Sequence, residues 1–351
     1  MNYADRLLDW FDENRREMPW RRTSDPYSIW VSEVMLQQTQ VDTVIPYYER
    51  FMERFPKVGD LAEASLEEVH NYWQGLGYYR RAENLHKGAK VVASEYGGVF
   101  PRDPKLVKKI PGIGPYTLGA VLSIAFRIPL PAVDGNVMRI LSRQFLIEND
   151  ISIAKNRKIF EEKVMELMPE DPNRFNQGLM ELGALVCTPK NPKCKECPIM
   201  PICEAYACDR VSELPVKKPK VKVVAIDYKV ILVEKDGAYW MEKRPAEGLL
   251  ANLWGFPMIQ EQDWQALYEG KERVFPLEKV THIFTHRKWE MIPVMMDWSE
   301  EVSDLFHLEE DDNHQFVTVE DMIDLPIGTA FTKIIEKIKD IKENGYNLSL
   351  I

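Results

Sequence analysis

The sequence has no long apolar run, little cysteine and no excess of positive charge. Its 351 residues hold 45 Lys+Arg against 55 Asp+Glu, a net charge of −10, with five cysteines. Each shortage excludes something. The longest uncharged stretches contain Pro and Gly and fall short of the roughly 20 apolar residues a membrane helix needs. Residues 1–20 (MNYADRLLDWFDENRREMPW) carry five acidic groups and no apolar core. No secretory signal is therefore expected there, and a cytoplasmic protein is. All five cysteines fall between Cys187 and Cys208. A secreted disulfide framework would spread its pairs around a small chain, so this cluster points to a metal site. What remains, 45% hydrophobic and 28% charged residues, is the make-up of an ordinary globular protein.

Taken over the whole chain, the shortage of positive charge argues against DNA as a partner, because phosphate contacts need Lys and Arg. Its distribution changes that conclusion. Residues 1–210 hold 28 Lys+Arg against 29 Asp+Glu, and residues 211–351 hold 17 against 26. The acidity sits in the C-terminal part and leaves the first part free to carry local basic patches. The length suggests two domains.

The first 200 residues read as successive helices joined by Pro/Gly turns. Ser28–Val41 places Ile29, Val31, Val34, Met35 and Val41 at helical spacing. Ser65 and Glu68 have capping-box spacing before a helix towards Trp73. Further helical patterns cover Arg81–Glu95, Lys105–Ile110, Tyr116–Phe126, Asn136–Phe145, Ala154–Met168 and Phe175–Val186. Residues 1–208 therefore predict an all-α domain. Asp209–Lys222 reads as an exposed linker. Beyond it come β-rich runs at Val223–Val233, Ala238–Met241, Val280–Phe284 and Trp289–Met296, with helical patterns at Trp264–Glu269 and Thr332–Glu343. Residues 223–351 predict an α+β domain.

Four cysteines are spaced Cys187-x6-Cys194-x2-Cys197-x5-Cys203, with Cys208 outside the pattern. Four thiolates hold either zinc or a [4Fe–4S] cluster. Zinc sites usually join two close pairs, and here only Cys194 and Cys197 form one. In Ile110-Pro-Gly-Ile-Gly-Pro115, Gly112 and Gly114 allow a sharp turn that exposes N–H groups at the start of the next helix. Such a helix start is an anion site suited to a DNA phosphate, and Lys108 and Lys109 stand just before it. Glu33 is a carboxylate on an otherwise apolar helix, where burial penalises its charge. It is either paired with an arginine or a functional acid. Asp134 precedes a helical pattern and reads as its N-cap.

The order Ile110–Pro115, Tyr116-Thr-Leu-Gly-Ala120, Val133-Asp134-Gly-Asn136 resembles the helix-hairpin-helix glycosylase superfamily, and the cysteine spacing resembles its [4Fe–4S] loop. Longer motifs narrow the likeness. Pro19-Trp20-Arg21, Asp25-Pro-Tyr27, Trp30-Val-Ser-Glu33-Val-Met-Leu-Gln-Gln38-Thr39-Gln-Val41 and Gly75-Leu76-Gly77-Tyr78-Tyr79 resemble the MutY family of adenine DNA glycosylases. The resemblance covers nearly the whole chain.

That resemblance implies a monomer excising adenine opposite 8-oxoguanine or guanine from duplex DNA, with a [4Fe–4S] cluster on Cys187, Cys194, Cys197 and Cys203. It implies Glu33 as general acid and Asp134 as the carboxylate beside the sugar, oriented by Asn136 and Tyr116. Lyase members hold a lysine where this chain has Tyr116. Tyrosine forms no Schiff base, so hydrolysis alone is expected. Trp20, Arg21 and Gln177 would contact the extruded adenine. Gln38, Thr39, Leu76, Gly77 and Tyr78 would occupy the gap and meet the opposite base. Lys108, Gly112 and Gly114 would meet a phosphate. Residues 223–351 resemble the Nudix fold, most clearly at Gly248-Leu-Leu-Ala-Asn-Leu-Trp-Gly-Phe-Pro257. No R-E-x-x-E-E helix follows Pro257, which disfavours a pyrophosphatase. The family reads 8-oxoguanine with a Phe-Ser-His loop, matched here by Phe284-Thr285-His286. Apart from that match, His282 and His286 read as ordinary edge-strand residues.

Overall fold

Asp25-Pro26, Asp103-Pro104 and Asp171-Pro172 each open a helix. In all three the carboxylate accepts a first-turn backbone N–H and the proline takes the first helical positions, where its missing donor costs nothing. The computed structural model describes residues 2–218, 223–268, 274–284 and 286–344. The chain divides into one unit of Met1–Val69 with Arg80–Pro219 and another of His70–Tyr79 with Lys220–Ile351.

The first unit is helical. Its elements are α1 (Tyr3–Asn14), α2 (Pro26–Met35), α3 (Val41–Arg54), α4 (Val58–Glu63), the start of α5 (Leu66–Trp73), α6 (Arg80–Tyr96), α7 (Pro104–Val107), α8 (Pro115–Phe126), α9 (Gly135–Gln144), α10 (Arg157–Leu167), α11 (Pro172–Leu185) and α12 (Glu204–Ala207). One core joins α1, α9, α10 and α11 through Leu7, Val137, Ile140, Phe160, Phe175, Leu179 and Leu182. The cysteine loop packs on the same core through Ile199, Cys187 and Cys197.

Three findings differ from the sequence expectation. The helix expected over Ser28–Val41 stops at Met35, and α3 starts afresh at Val41. Between them Gln38 adopts a left-handed φ of 61°. The expected linker begins as part of the first unit: Leu214 is buried, its carbonyl accepts from Arg143 Nε at 3.0 Å, and Val216 O accepts from Ile151 N. Apolar Leu214 and Val216 give the segment a reason to stay. Residues 219–222 lie outside the described residues. Finally, residues 70–79 belong with the second unit, where Tyr79 OH donates to Ile327 O at 3.4 Å.

The second unit is a mixed sheet between helices. The long strands β1 (Val224–Lys235) and β7 (Arg287–Asp297) pair in parallel along their length. β2 (Ala238–Lys243), β3 (Trp254–Gly255), β4 (Met258–Gln260), β5 (Phe275–Pro276), β6 (Val280–Ile283) and β8 (His314–Thr318) join by antiparallel pairing. Val230 and Leu232 of β1 face a core that includes Phe331, Ile334 and Ile338 of α15 (Thr329–Asn344). Ile231 and Val233 face another, with Trp264 of α13 (Glu261–Tyr268) and Val302 of α14 (Glu300–Phe306). Both faces are covered, which is why β1 reads as a continuous apolar run.

Candidate active site

Every residue of α2 from Tyr27 to Met35 is buried, so Glu33 stands on a helix without an exposed side. Glu33 is 5% exposed. Its Oε2 accepts a hydrogen bond from Tyr116 OH at 2.6 Å. Burial pushes the carboxyl up to about 7; the Tyr116 hydrogen bond opposes the rise and the charge of Asp134 adds to it. Tyr116 comes from the first turn of α8 and also lies 3.1 Å from Met180 Sδ.

The arginine pairing left open for Glu33 falls to Glu181 on α11. Arg16 donates to it from its backbone N, Nε and Nη2 at 2.9–3.0 Å, and Arg21 from Nη1 and Nη2 at 3.2 and 3.0 Å. Burial raises Glu181, but the arginine hydrogen bonds more than offset it and hold the carboxyl at about 2. Arg21 Nε also donates to Gln177 Oε1 at 3.0 Å. Glu181 and Arg16 were not singled out from the sequence. The available signal was spacing, because Glu181 lies four residues after Gln177 and so on the same helix face.

Asp134 caps α9, accepting from Val137 N at 2.8 Å, while its other oxygen accepts from Asn136 Nδ2 at 2.9 Å. Burial raises its pKa from the ordinary aspartate value; hydrogen bonds from Val137 and Asn136 and the charge of Arg139 oppose that. Arg139 Nη2 donates to Asn136 Oδ1 and its Nε to Cys187 O, both at 2.8 Å. The loop ahead of Asp134 is braced on two sides. Asn176 donates to Leu130 O at 2.8 Å and accepts from Ala132 N at 3.1 Å. Gly119 of α8 lies so close that a Cβ there would stand 2.0 Å from Pro131 O. Only glycine permits that approach.

These groups line one cleft of about 440 Å³, within the range usual for small-molecule sites. Trp20, Arg21, Glu33, Thr39, Tyr116, Asp134, Asn136 and Gln177 all contribute to its wall, together with Glu181. Trp20 is only 6% exposed and packs edge-on to Tyr48, so it is also core. Gln38 lies in the adjoining turn rather than in the wall.

The remaining site residues lie elsewhere. Gly112 has φ 80°, and Gly114 caps α8 without a side-chain hydrogen bond, leaving the helix start open; Lys108 is exposed beside this turn. Cys187, Cys194, Cys197 and Cys203 line a single cavity with Val186, Pro192 and Met200, and Arg143 Nη1 lies 3.4 Å from Cys187 Sγ. Among the described residues no three His, Cys, Asp or Glu side chains are arranged to hold a single metal ion. Cys208 is exposed outside this cavity. In the second unit Leu76 is buried, while Gly77 and Tyr78 are left-handed and Tyr78 is 49% exposed. Phe284 and His286 flank the β6–β7 turn; Phe284 N donates to Arg287 O and its ring packs on Trp289. His282 lies on β6, which pairs with β7. Thr285 falls outside the described residues. After Pro257 the chain forms α13 with the sequence EQDWQALY, in which Glu261 pairs with Lys229 at 3.1 Å. No helix of the described residues is long and apolar enough to cross a membrane.

The profile of the HhH-GPD superfamily base excision DNA repair protein matches residues 31–170, and that of the NUDIX domain matches residues 229–337. An adenine DNA glycosylase of Buchnera aphidicola subsp. Schizaphis graminum is 35% identical, over 85% of this chain and 88% of that protein. The adenine DNA glycosylase of Mus musculus is 36% identical, over 82% of this chain and 68% of that protein. Among solved structures, a thermostable thymine-DNA glycosylase matches 59% of this chain and 95% of its own at a TM-score of 0.55 and 33% identity. With one stretch matching each profile and relatives at this identity over more than four fifths of the chain, the chain belongs to the adenine DNA glycosylase family.

Proposed function

We propose that this chain hydrolyses the N-glycosidic bond of adenine mispaired with 8-oxoguanine, or with guanine, in duplex DNA. The observation that carries the reading is Glu33, a buried carboxyl titrating near 7 in the same cleft as Asp134. Adenine is a poor leaving group as an anion. Protonation at N7 turns it into a neutral one, and an acid with a pKa near the working pH is suited to that transfer. Tyr116 occupies Oε2 of Glu33, which leaves Oε1 to carry the proton. As the bond breaks, positive charge develops on the sugar, and ionised Asp134 stabilises it, held in place by Asn136 and the Val137 N–H. Water completes the hydrolysis. The phenol of Tyr116 forms no Schiff base, so strand cleavage is not part of the reaction.

The base must first leave the duplex, at a cost of a few kcal/mol. Trp20, Arg21 and Gln177, which line the cleft, would contact the extruded adenine. The turn carrying Gln38 and Thr39 would fill the gap, with Leu76, Gly77 and Tyr78 at the opposite base. Lys108 and the open helix start after Gly112 and Gly114 would take a phosphate. Phe284, Thr285 and His286 would read 8-oxoguanine. The four cysteines fit a [4Fe–4S] cluster: their sulfurs surround a cavity rather than a point, and the Arg143 guanidinium offsets thiolate charge. When bound, the cluster would cross-link the 187–203 loop to itself through its four thiolates.

Duplexes carrying adenine opposite 8-oxoguanine, adenine opposite guanine, thymine opposite guanine, and thymine glycol test the substrate. Free adenine from the first two alone supports the reading. Release of thymine instead would move this chain towards its structural neighbour, and release of nothing would make it a binding protein. Strand breaks without added base would remove the claim of hydrolysis only.

A further inference from the structure

Arg81 stands in the first turn of α6, and its guanidinium reaches the turn that follows α2. Nη1 donates to the Val34 and Met35 carbonyls at 3.0 and 2.8 Å and to the Gln37 carbonyl, and Nη2 donates to Thr39 Oγ1 at 3.3 Å. The first two acceptors are carbonyls that the end of a helix leaves without intrahelical partners. No glycine follows α2 to close it, and the chain turns left-handed at Gln38 instead, a conformation a non-glycine residue keeps only when its surroundings impose it. A planar fork of fixed donors can hold several acceptors in one arrangement, which a lysine ammonium does less well. Arg81 does not line the cleft itself.

We propose that Arg81 is a positioning residue for base extrusion: it holds the Gln38–Thr39 turn in the shape that enters the duplex beside the departing adenine. The inference rests on the reading of that turn as the element that fills the gap. Arg81 therefore governs how completely the base leaves the stack, and not the bond cleavage that follows at Glu33 and Asp134.

The test uses a duplex with adenine opposite 8-oxoguanine and 2-aminopurine next to the adenine, whose fluorescence rises on unstacking. Single-turnover excision is followed on the same substrate, and a thermal melt checks folding. Arg81→Met should lower both the fluorescence rise and the excision rate by about tenfold or more, the scale of a lost charge-assisted hydrogen bond, and Arg81→Lys should recover part of both. Adding Arg81→Lys to Gln38→Ala should cause no further loss, because the two act as one unit. A normal fluorescence rise with slowed excision overturns the proposal, as do effects of Arg81→Lys and Gln38→Ala that multiply. If Arg81→Met fails to fold, the Arg81→Lys cycle decides alone. Extrusion by Gln38→Ala equal to the parent overturns the gap-filling reading itself, and this inference with it.

Discussion

Glu33 and Glu181 are two buried glutamates in the wall of one cleft, and their neighbours give them opposite chemistry. Glu33 has a phenol for its partner and Asp134 nearby, and stands at about 7. Glu181 has two guanidiniums and stands at about 2. Burial raises both; Arg21 lowers Glu33 through its charge alone, whereas Glu181 also takes hydrogen bonds from Arg16 and Arg21. The pair shows that burial alone does not make an acid. Glu181 serves as the counter-charge whose hydrogen bonds keep Arg16 and Arg21 occupied at the same wall.

The sharpest way to break this contrast is Glu33→Gln. Excision in a single turnover should fall by about 10²–10⁴-fold, the usual contribution of a general acid, while duplex binding persists. A variant as fast as the parent would leave Glu33 no catalytic role. Next in size is Arg21→Met, which leaves Glu181 with Arg16 alone. A broken buried ion pair costs about 3 kcal/mol, to be read from denaturant unfolding, and an unchanged midpoint would mean the pair contributes nothing to the fold.

Third, Glu33 should oppose stability at high pH. Its folded pKa lies above the ordinary 4.5. Below pH 4.5 both folded and unfolded states are protonated and nothing is lost. As pH rises from 4.5 to about 7 the unfolded chain ionises freely while the folded one resists, so stability falls. Above pH 7 Glu33→Gln should therefore melt higher than the parent, by at most about 3 kcal/mol, with the gain fading towards pH 4. A constant difference across that range would contradict a raised pKa. The smallest effect concerns Tyr116→Phe. Excision by the parent should decline as pH rises through about 7, because the acid form of Glu33 is consumed. Loss of the phenol removes a contact that lowers Glu33, so the decline in Tyr116→Phe should move to higher pH. A shift the other way would show that the hydrogen bond favours the acid form.

The fold class was legible in the sequence, an α-helical part followed by an α+β part, and so was the membership of the cleft. Glu33, Tyr116 and the Asp134–Asn136 pair lie far apart along the chain, yet all four line one cleft. Asp134 proved both cap and cleft residue, so the two readings of it were compatible. What stayed hidden was set by distant partners. Apolar spacing ran the α2 pattern on to Val41, since nothing local reveals that Arg81, more than forty residues on, takes the carbonyls at its end. The move of residues 70–79 into the second unit is hidden for the same reason. In the second unit β8 carries little strand signal, because HQFVT is short and opens on polar residues beside an acidic run. Glu181 has no signal of its own in the sequence, and only its arginines identify it.

Gly119 carries a last consequence. Where it meets Pro131, the register between the helix bearing Tyr116 and the loop bearing Asp134 is set by a missing methyl group. Such a junction works as a gauge block: any side chain there becomes a shim, displacing one reacting group from the other by a fixed step. Because the atoms in the way are backbone, in a loop that Asn176 braces and that runs into the core at Val133, a side chain here would cost alignment and folding together. A single missing methyl thus ties the spacing of Tyr116 and Asp134 to the stability of the packing that holds them.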